Sequence, residues 1–204
     1  MTDYISDDWV TFYLRHQDLI QTWAAVRKDV VDAAHSFYLS LADDLTRLAP
    51  SFGEDVAVWV RDGAWSNVGL YRTGWSQDAS PLVAAAIEWN TRSTFVDGPR
   101  IAGLRVNTDN EAGRALRPHI GDQVRESREN QGFNRRSAMW PAYRDLPRPE
   151  EGAYWQDLSK FRSVLIDEVR SVWEAFSVST DITTSIWRLG GTDPSSGSEF
   201  EGQT

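Results

Sequence analysis

The spacing of apolar residues changes along this chain, and these changes constrain the fold more than any other feature. Between residues 19 and 48, apolar side chains recur every three or four positions, or after seven where alanines intervene, as on one face of an α-helix. These positions are Leu19, Trp23, Val26, Val30, Phe37, Leu41, Leu45 and Leu48. The pattern predicts a long amphipathic helix that ends at Pro50 and Gly53 and follows a short helix from Ser6 to about His16.

From Glu54 the apolar residues alternate instead, which is the spacing of β-strands. A strand over 56–60 is followed by Asp62-Gly63, a dipeptide typical of tight hairpin turns with positive backbone φ angles. The return strand then covers 64–72. The polar run 76–81 is predicted to be a loop.

Two further strands are predicted from the same alternation, over 82–90 and 100–107. In the first, bulky residues face one way, and Ala84, Ala86 and Glu88 face the other. The small alanines predict that a helix packs closely against them. In the second strand, Arg105 lies on the face opposite Leu104 and Val106.

Helical spacing returns after residue 107. Thr108 and Glu111 have the spacing of a capping box, and Pro118 and Gly121 are expected to kink or divide the helix that follows. A short strand is predicted over 137–143. The last long helix is predicted over 154–176, with apolar positions at Leu158, Phe161, Leu165, Val169, Val172 and Phe176.

This order of elements predicts an α+β fold, in which a meandering, mainly antiparallel sheet is packed by long N-terminal and C-terminal helices. A chain of 204 residues is within the range of one domain, here residues 1–189. Residues 190–204 are mostly glycine, serine and acids, which predicts a disordered tail.

Several classes of protein lack support in the sequence. The apolar stretches are far shorter than the roughly 18 residues that cross a membrane, and no basic and apolar leader segment is visible, so we expect a cytoplasmic protein. There is no cysteine, which excludes disulfides and thiolate metal sites. His16, His35 and His119 have no metal-ligand spacing, and no phosphate-binding loop or nucleophile elbow is present.

The distribution of charge indicates one candidate binding surface. The chain has a formal net charge of −9, but residues 98–148 contain ten arginines and six acids. Arginines mixed with aromatic residues are typical of surfaces that bind acidic proteins or nucleic acids. The predicted binding residues are Arg100, Arg105, Arg135, Arg136, Trp140, Tyr143 and Arg144. The alternative is that these arginines pair with the acidic helices inside the same fold.

A second candidate is an acid within an apolar strand, Glu88. A buried carboxylate needs solvent, a metal or a partner such as Arg105, and carboxylates at strand ends can hold Mg²⁺ for phosphodiester hydrolysis. The order of elements from Leu19 to Tyr143 resembles the core of the PD-(D/E)XK nucleases, in which a helix, three meandering strands, a helix and a strand carry an acid and then an acid-x-lysine pair. The matching site reads Glu88-Trp89-Asn90, with asparagine in place of the family's lysine. The resemblance implies a nuclease-like, degenerate site.

The sequence therefore favours an interaction protein with an arginine-rich and aromatic surface for an acidic protein or nucleic acid. The alternative is a Mg²⁺-dependent phosphodiesterase centred on Glu88. A third possibility is that the exposed face of the first long helix pairs with another copy of the chain. Ten tryptophans are also present, and most lie at predicted core positions, although Trp65, Trp75 and Trp140 are near loops or strand edges, where an indole could be exposed.

Overall fold

The computed structural model describes residues 7–92, 101–134, 139–147 and 157–190. Five α-helices are found in this part of the chain: α1 (Asp7–Leu39), α2 (Leu41–Leu48), α3 (Glu111–Gln123), α4 (Arg125–Asn130) and α5 (Leu158–Gly190). The predicted break near His16 is present inside α1, where the backbone angles of that residue are not helical (φ −120°, ψ 15°). The predicted tail lies outside the described residues except for Gly190, the last residue of α5.

Within these described ranges, the strands form one sheet of five members and a separate small hairpin. The strands are β1 (Val56–Arg61), β2 (Trp65–Arg72), β3 (Ser76–Gln77), β4 (Ser80–Pro81), β5 (Val83–Asn90), β6 (Ile101–Val106) and β7 (Ala142–Asp145). The sheet has the order β1-β2-β5-β6-β7, and every neighbouring pair is antiparallel. Among the described strands, β3 and β4 pair only with each other. The predicted α+β fold, an antiparallel meander packed by long N-terminal and C-terminal helices, is confirmed.

One face of the sheet carries the core. The bulky residues of β5, including Val83 and Ile87, lie on this face with Leu70 of β2 and Leu104 of β6, all fully or almost fully buried. α5 packs on β5 and β6, α2 packs on β1 and β2, and α3 packs on α5. The apolar positions predicted for α5 from Phe161 onward are all fully buried, because they face the sheet along one stripe of the helix.

We name the other side of the sheet the outer face. The expectation that a helix covers Ala84 and Ala86 is wrong, because the described helices pack on the opposite side. The two alanines form a small second cluster with Ile101 and Trp140, and the side chains of Trp59, Tyr71, Met139 and Tyr143 pack against it. Small residues in β5 therefore make room for large side chains from neighbouring strands and loops.

Two turns differ from the sequence prediction. At Asp62-Gly63 the chain makes no two-residue turn, because the last paired residues are Arg61 and Asn67 and the φ angle of Gly63 is not positive. The Ser66 hydroxyl, which contacts Asp62 and Gly63, holds this longer connection. Positive φ angles occur instead in the run predicted as a loop, at Asp78 (51°) and Ala79 (61°) between β3 and β4.

The helix after β6 also begins and ends differently from the prediction. Its N-cap is Asn110 rather than Thr108, because the Asn110 side chain accepts a hydrogen bond from the amide of Gly113 at 2.7 Å. The helix continues through Pro118 and Gly121 to Gln123. The final helix is longer than predicted, since α5 ends at Gly190 rather than near Phe176.

Helix α1 extends beyond the sheet. At 1.5 Å per residue, the 23 residues of α1 after the break at His16 are by themselves about 35 Å long, whereas the longest strands, of eight residues, are about 26 Å long. Only the end of α1 near Ala34 and Tyr38 is buried. From residue 8 to residue 30, every side chain except that of Ile20 is exposed. The first half of the predicted amphipathic stripe therefore has no covering layer among the described residues.

Candidate functional site

A row of residues across the outer face has small members in the middle and aromatic members at both ends. The strand register places Trp59, Gly69, Ala86, Gly103 and Tyr143 side by side from β1 to β7. Two glycines and an alanine leave room above the centre of the sheet. Long side chains from the flanking positions can therefore lie flat across it.

Arg105 of β6 uses this room. It is only 2% exposed, and its guanidinium carbon lies 5.1 Å from the centroid of the Trp59 ring on β1. β2 and β5 lie between these two strands, so the two side chains meet over the small residues of the row. A guanidinium above an indole makes a cation–π contact, which gains strength when water is excluded.

The guanidinium of Arg105 is poorly satisfied by hydrogen bonds. Its Nε lies 3.9 Å from Oε2 of Glu88, which is an ion pair rather than a hydrogen bond. Neither Nε nor Nη1 has a hydrogen-bond partner among the described residues. Burial lowers the pKa of Arg105, and the positive charge of Arg61 lowers it further, whereas Glu88 and Asp109 act in the opposite direction. Two guanidinium groups thus converge on one region of the outer face.

Arg61 lines an open cleft of about 450 Å³ at the edge of the outer face. One wall of this cleft is the Trp59 side chain that contacts Arg105. Nη2 of Arg61 lies 3.0 Å from Oδ2 of Asp109, and both side chains are substantially exposed. Asp78 also lines the cleft. We name the cleft lined by Trp59 and Arg61 the arginine cleft. Arg105 does not line it and lies buried against Trp59.

The small β3–β4 hairpin forms a rim of the arginine cleft. Positive φ angles are costly for residues other than glycine, so Asp78 and Ala79 need contacts that hold them in place. The Asn107 side-chain amide donates to the carbonyl of Pro81 at 3.2 Å and to the Ser80 hydroxyl at 3.3 Å. The hairpin is therefore fastened to the residue that follows β6.

The predicted arginine-rich and aromatic surface is only partly described. Arg100, Arg135 and Arg136 lie outside the described residues. Trp140 is 3% exposed and packs in the second cluster, so the expectation of an exposed indole there is wrong. Trp75 is also buried, whereas Trp65 is exposed.

Arg144 contacts α5 instead of pointing freely into solvent. Its Nε lies 2.7 Å from Oε2 of Glu168, its Nη2 donates to the Ser171 hydroxyl, and its guanidinium carbon lies 4.4 Å from the centroid of Phe133. Tyr143 beside it is half-buried. For Arg144, the structure agrees with the alternative in which the arginines pair with acidic helices inside the fold.

Glu88 is 9% exposed and is paired with Arg105. Among the described residues there is no group of three or more histidine, cysteine, aspartate and glutamate side chains that could hold a metal ion. His35 has another role, since its Nδ1 accepts a hydrogen bond from Nε1 of the buried Trp89 at 3.1 Å. The Mg²⁺-dependent phosphodiesterase stays a prediction that no described metal site supports.

Sequence reasoning missed Trp59, Arg61 and Asp109 as members of a site. Alternation along β1 places Trp59 and Arg61 on the same face, and this signal was available. What sequence could not supply is the register of four strands, which places Trp59 opposite Gly69 and within reach of Arg105.

Comparisons with known proteins gave no relative from which a function could be proposed. No described helix is long and apolar enough to cross a membrane. No family model, no curated protein and no solved structure matches this chain.

Proposed function

We propose that this chain is a non-catalytic interaction protein, and that its arginine cleft binds a carboxylate-bearing segment of a partner protein. The observation that carries the proposal is the partly exposed Arg61 guanidinium, which lines the cleft beside the Trp59 side chain and has the buried charge of Arg105 near it. A guanidinium binds carboxylates through charge-assisted hydrogen bonds, and arginine next to an aromatic side chain is common in protein interfaces.

The charges around the cleft support an anionic ligand. Arg61 lowers the pKa of Arg105, because the two positive charges repel each other. An anion held by Arg61 in the cleft reduces this repulsion and accepts charge-assisted hydrogen bonds from the Arg61 guanidinium. Binding requires Arg61 to exchange its contact with Asp109, an exposed ion pair of the kind that contributes little to stability.

A protein carboxylate fits this site better than a nucleic acid does. Asp78 and Asp109 line the same cleft, and the whole chain has a formal net charge of −9, which repels a continuous row of phosphates. A cleft of about 450 Å³ holds a few side chains rather than an extended backbone. A short acidic segment that inserts one or two carboxylates is small enough for the cleft and carries too few charges to be strongly repelled.

The test is a titration of the whole chain with a fluorescein-labelled glycine-serine octapeptide that carries two adjacent glutamates at its centre, at low salt, followed by fluorescence anisotropy. We expect saturable binding that weakens with salt, and at least a tenfold loss of affinity in Arg61→Gln. Arg125→Gln is the matched control, because Arg125 is an exposed arginine whose ion pair with Asp122 lies on α3 and α4, outside the cleft.

Three results contradict the proposal: absence of peptide binding, equal losses in the two variants, or tighter binding of a single-stranded DNA of equal length. The last result favours the nucleic-acid version of the sequence prediction. Hydrolysis of a phosphodiester substrate that depends on Mg²⁺ and is lost in Glu88→Gln favours the enzymatic alternative.

A further inference from the structure

The exposed part of α1 carries a regular seam of eight positions. Its members are spaced by three and four residues in strict alternation, which is the heptad pattern of a coiled coil. They are Trp9, Phe12, His16, Leu19, Trp23, Val26, Val30 and Ala33, and we name them the arm seam. All eight are exposed, including Trp9 at 71%, Trp23 at 65% and Leu19 at 57%.

The arm seam continues into the core. The next position in the pattern is Phe37, whose ring stacks on that of Phe161 at 5.9 Å between centroids. Beyond this point the helix face is covered by the fold, and before it the same face is open. The backbone break at His16 falls inside the seam, so α1 is kinked between Phe12 and Leu19, although the spacing in sequence is the same on both sides. Exposed apolar patches of this extent mark interaction surfaces.

We propose that the arm seam pairs with the arm seam of a second copy of this chain, and that the two helices run antiparallel. The two-fold axis then lies near Gln21. The numbers of seam residues that face each other add to 42, and those of flanking residues that share the heptad position of Thr22 add to 44. This arrangement is independent of the arginine cleft, since no member of the arm seam lines it.

The sizes of the seam residues favour the antiparallel pair. Large residues lie at one end and small residues at the other, so an antiparallel pair places Trp9 against Ala33 and Phe12 against Val30 of the other copy. In a parallel pair, two Trp9 side chains meet in one layer and two Ala33 side chains in another. The antiparallel layers have more nearly equal volumes, which coiled-coil cores require for close packing.

The flanking charges favour the same orientation. Arg15 and Asp29 are exposed and take the same flanking heptad position, and neither forms an ion pair with another described residue. In the antiparallel register Arg15 of one helix lies beside Asp29 of the other, and this occurs twice by symmetry. In a parallel pair, Arg15 faces Ile20 and Asp29 faces Ala34, so no opposite charges meet.

A membrane surface is the competing occupant for an apolar helix face. Helices that lie on anionic membranes carry an excess of lysine and arginine on their polar side. Here residues 7–32 contain five aspartates and only three basic residues. The acidic balance favours a protein partner over an anionic bilayer.

Cysteine cross-linking tests both the pairing and its direction, because the chain has no natural cysteine. The antiparallel register places Thr22 close to Thr22 of the second copy, whereas Gln21 points away from the pair and Ala33 lies against Trp9. Under mild oxidation of the full chain, we expect Thr22→Cys to form a disulfide-linked dimer, and Gln21→Cys and Ala33→Cys to remain largely monomeric.

Sedimentation equilibrium supplies the second measurement. We expect the wild type to have twice the monomer mass of 23.1 kDa, and Leu19→Glu with Trp23→Glu to weaken the dimer at least a hundredfold with an unchanged circular dichroism spectrum. A monomeric wild type at about 100 μM overturns the proposal, with or without binding to phosphatidylserine vesicles. Efficient cross-linking of Ala33→Cys overturns the antiparallel register in favour of a parallel one. Equal cross-linking of Thr22→Cys and Gln21→Cys overturns the proposal that the two helices pair through the arm seam.

Discussion

The guanidinium of Arg105 lies 5.1 Å from the centroid of Trp59, although two strands of the sheet separate the strands that carry them. The contact is possible because Gly69, Ala86 and Gly103 occupy the row of the sheet that begins with Trp59. The packing of the outer face therefore requires small residues in its middle, so that long side chains from its two sides can contact each other.

The pair formed by Arg105 and Glu88 gives the first prediction. Arg105→Met is expected to destabilise the protein by about 3 kcal/mol, because it removes the positive charge beside the buried Glu88 carboxylate. In a Glu88→Gln background, the same substitution should lower the free energy of unfolding by at least about 1 kcal/mol less than in the wild type. This difference is the coupling free energy between the two contacting residues. Urea unfolding of the four proteins measures this coupling, and additive effects contradict it.

The two glycines of the row give the second prediction. A Cβ atom at Gly69 meets the Ala85 carbonyl oxygen at 2.3 Å, and one at Gly103 meets the Ala142 carbonyl oxygen at 2.3 Å. Because the opposing atoms belong to the backbone, each alanine substitution should destabilise the fold by about 2 kcal/mol or more. Gly74→Ala is the control, since nothing lies within 4 Å of its Cβ and its φ angle is not positive. Unfolding midpoints that are equal in all three variants contradict this explanation.

The third prediction concerns Asp44, which joins α2 to α5. Arg162 Nη1 donates to Asp44 Oδ2 at 2.5 Å, and Arg47 donates to Oδ1. Partial burial raises the pKa of Asp44, but the two arginines outweigh it and hold the pKa below its ordinary value. A lowered pKa in the folded state stabilises the protein above the unfolded-state value of about 3.9, and this contribution is lost as pH falls through the lower folded value.

The measurement for Asp44 is the urea midpoint between pH 7 and pH 2.5. Asp44→Asn should lose stability at pH 7 and show a smaller further loss on acidification than the wild type. Asp43→Asn is the matched control on the neighbouring exposed position. Parallel pH profiles for the wild type and Asp44→Asn are the result that contradicts the assignment.

Asp181 of α5 gives the fourth prediction. Its Oδ1 accepts a hydrogen bond from Nε1 of the buried Trp75 at 2.7 Å, and its Oδ2 lies 3.1 Å from Nε of Arg72. Asp181→Ala should cost about 1–3 kcal/mol, because the indole N–H loses its acceptor. Asp181→Asn retains an oxygen at this position and should cost less. Glu174→Ala, an exposed change on the same helix, should be nearly neutral by thermal unfolding.

The periodic elements of this chain could be predicted because their signals are local. In β5, alternation identified both the core face with Val83 and Ile87 and the opposite face with Glu88. The stripe of α5 was correct from Phe161 to Phe176 for the same reason. Turns were less predictable, since the Asp62-Gly63 connection depends on the Ser66 hydroxyl, and Asp78 and Ala79 take positive φ angles although neither is glycine.

The sequence by itself determined which residues share a face of each helix and strand, because 3.6-residue and two-residue periods follow from backbone geometry. Only the tertiary structure decided which faces meet. Strand order and register brought Arg105 to Trp59, and the size of the sheet left Trp23 and the rest of the arm seam uncovered. These outcomes depend on residues far apart in the chain, so no local pattern could contain them.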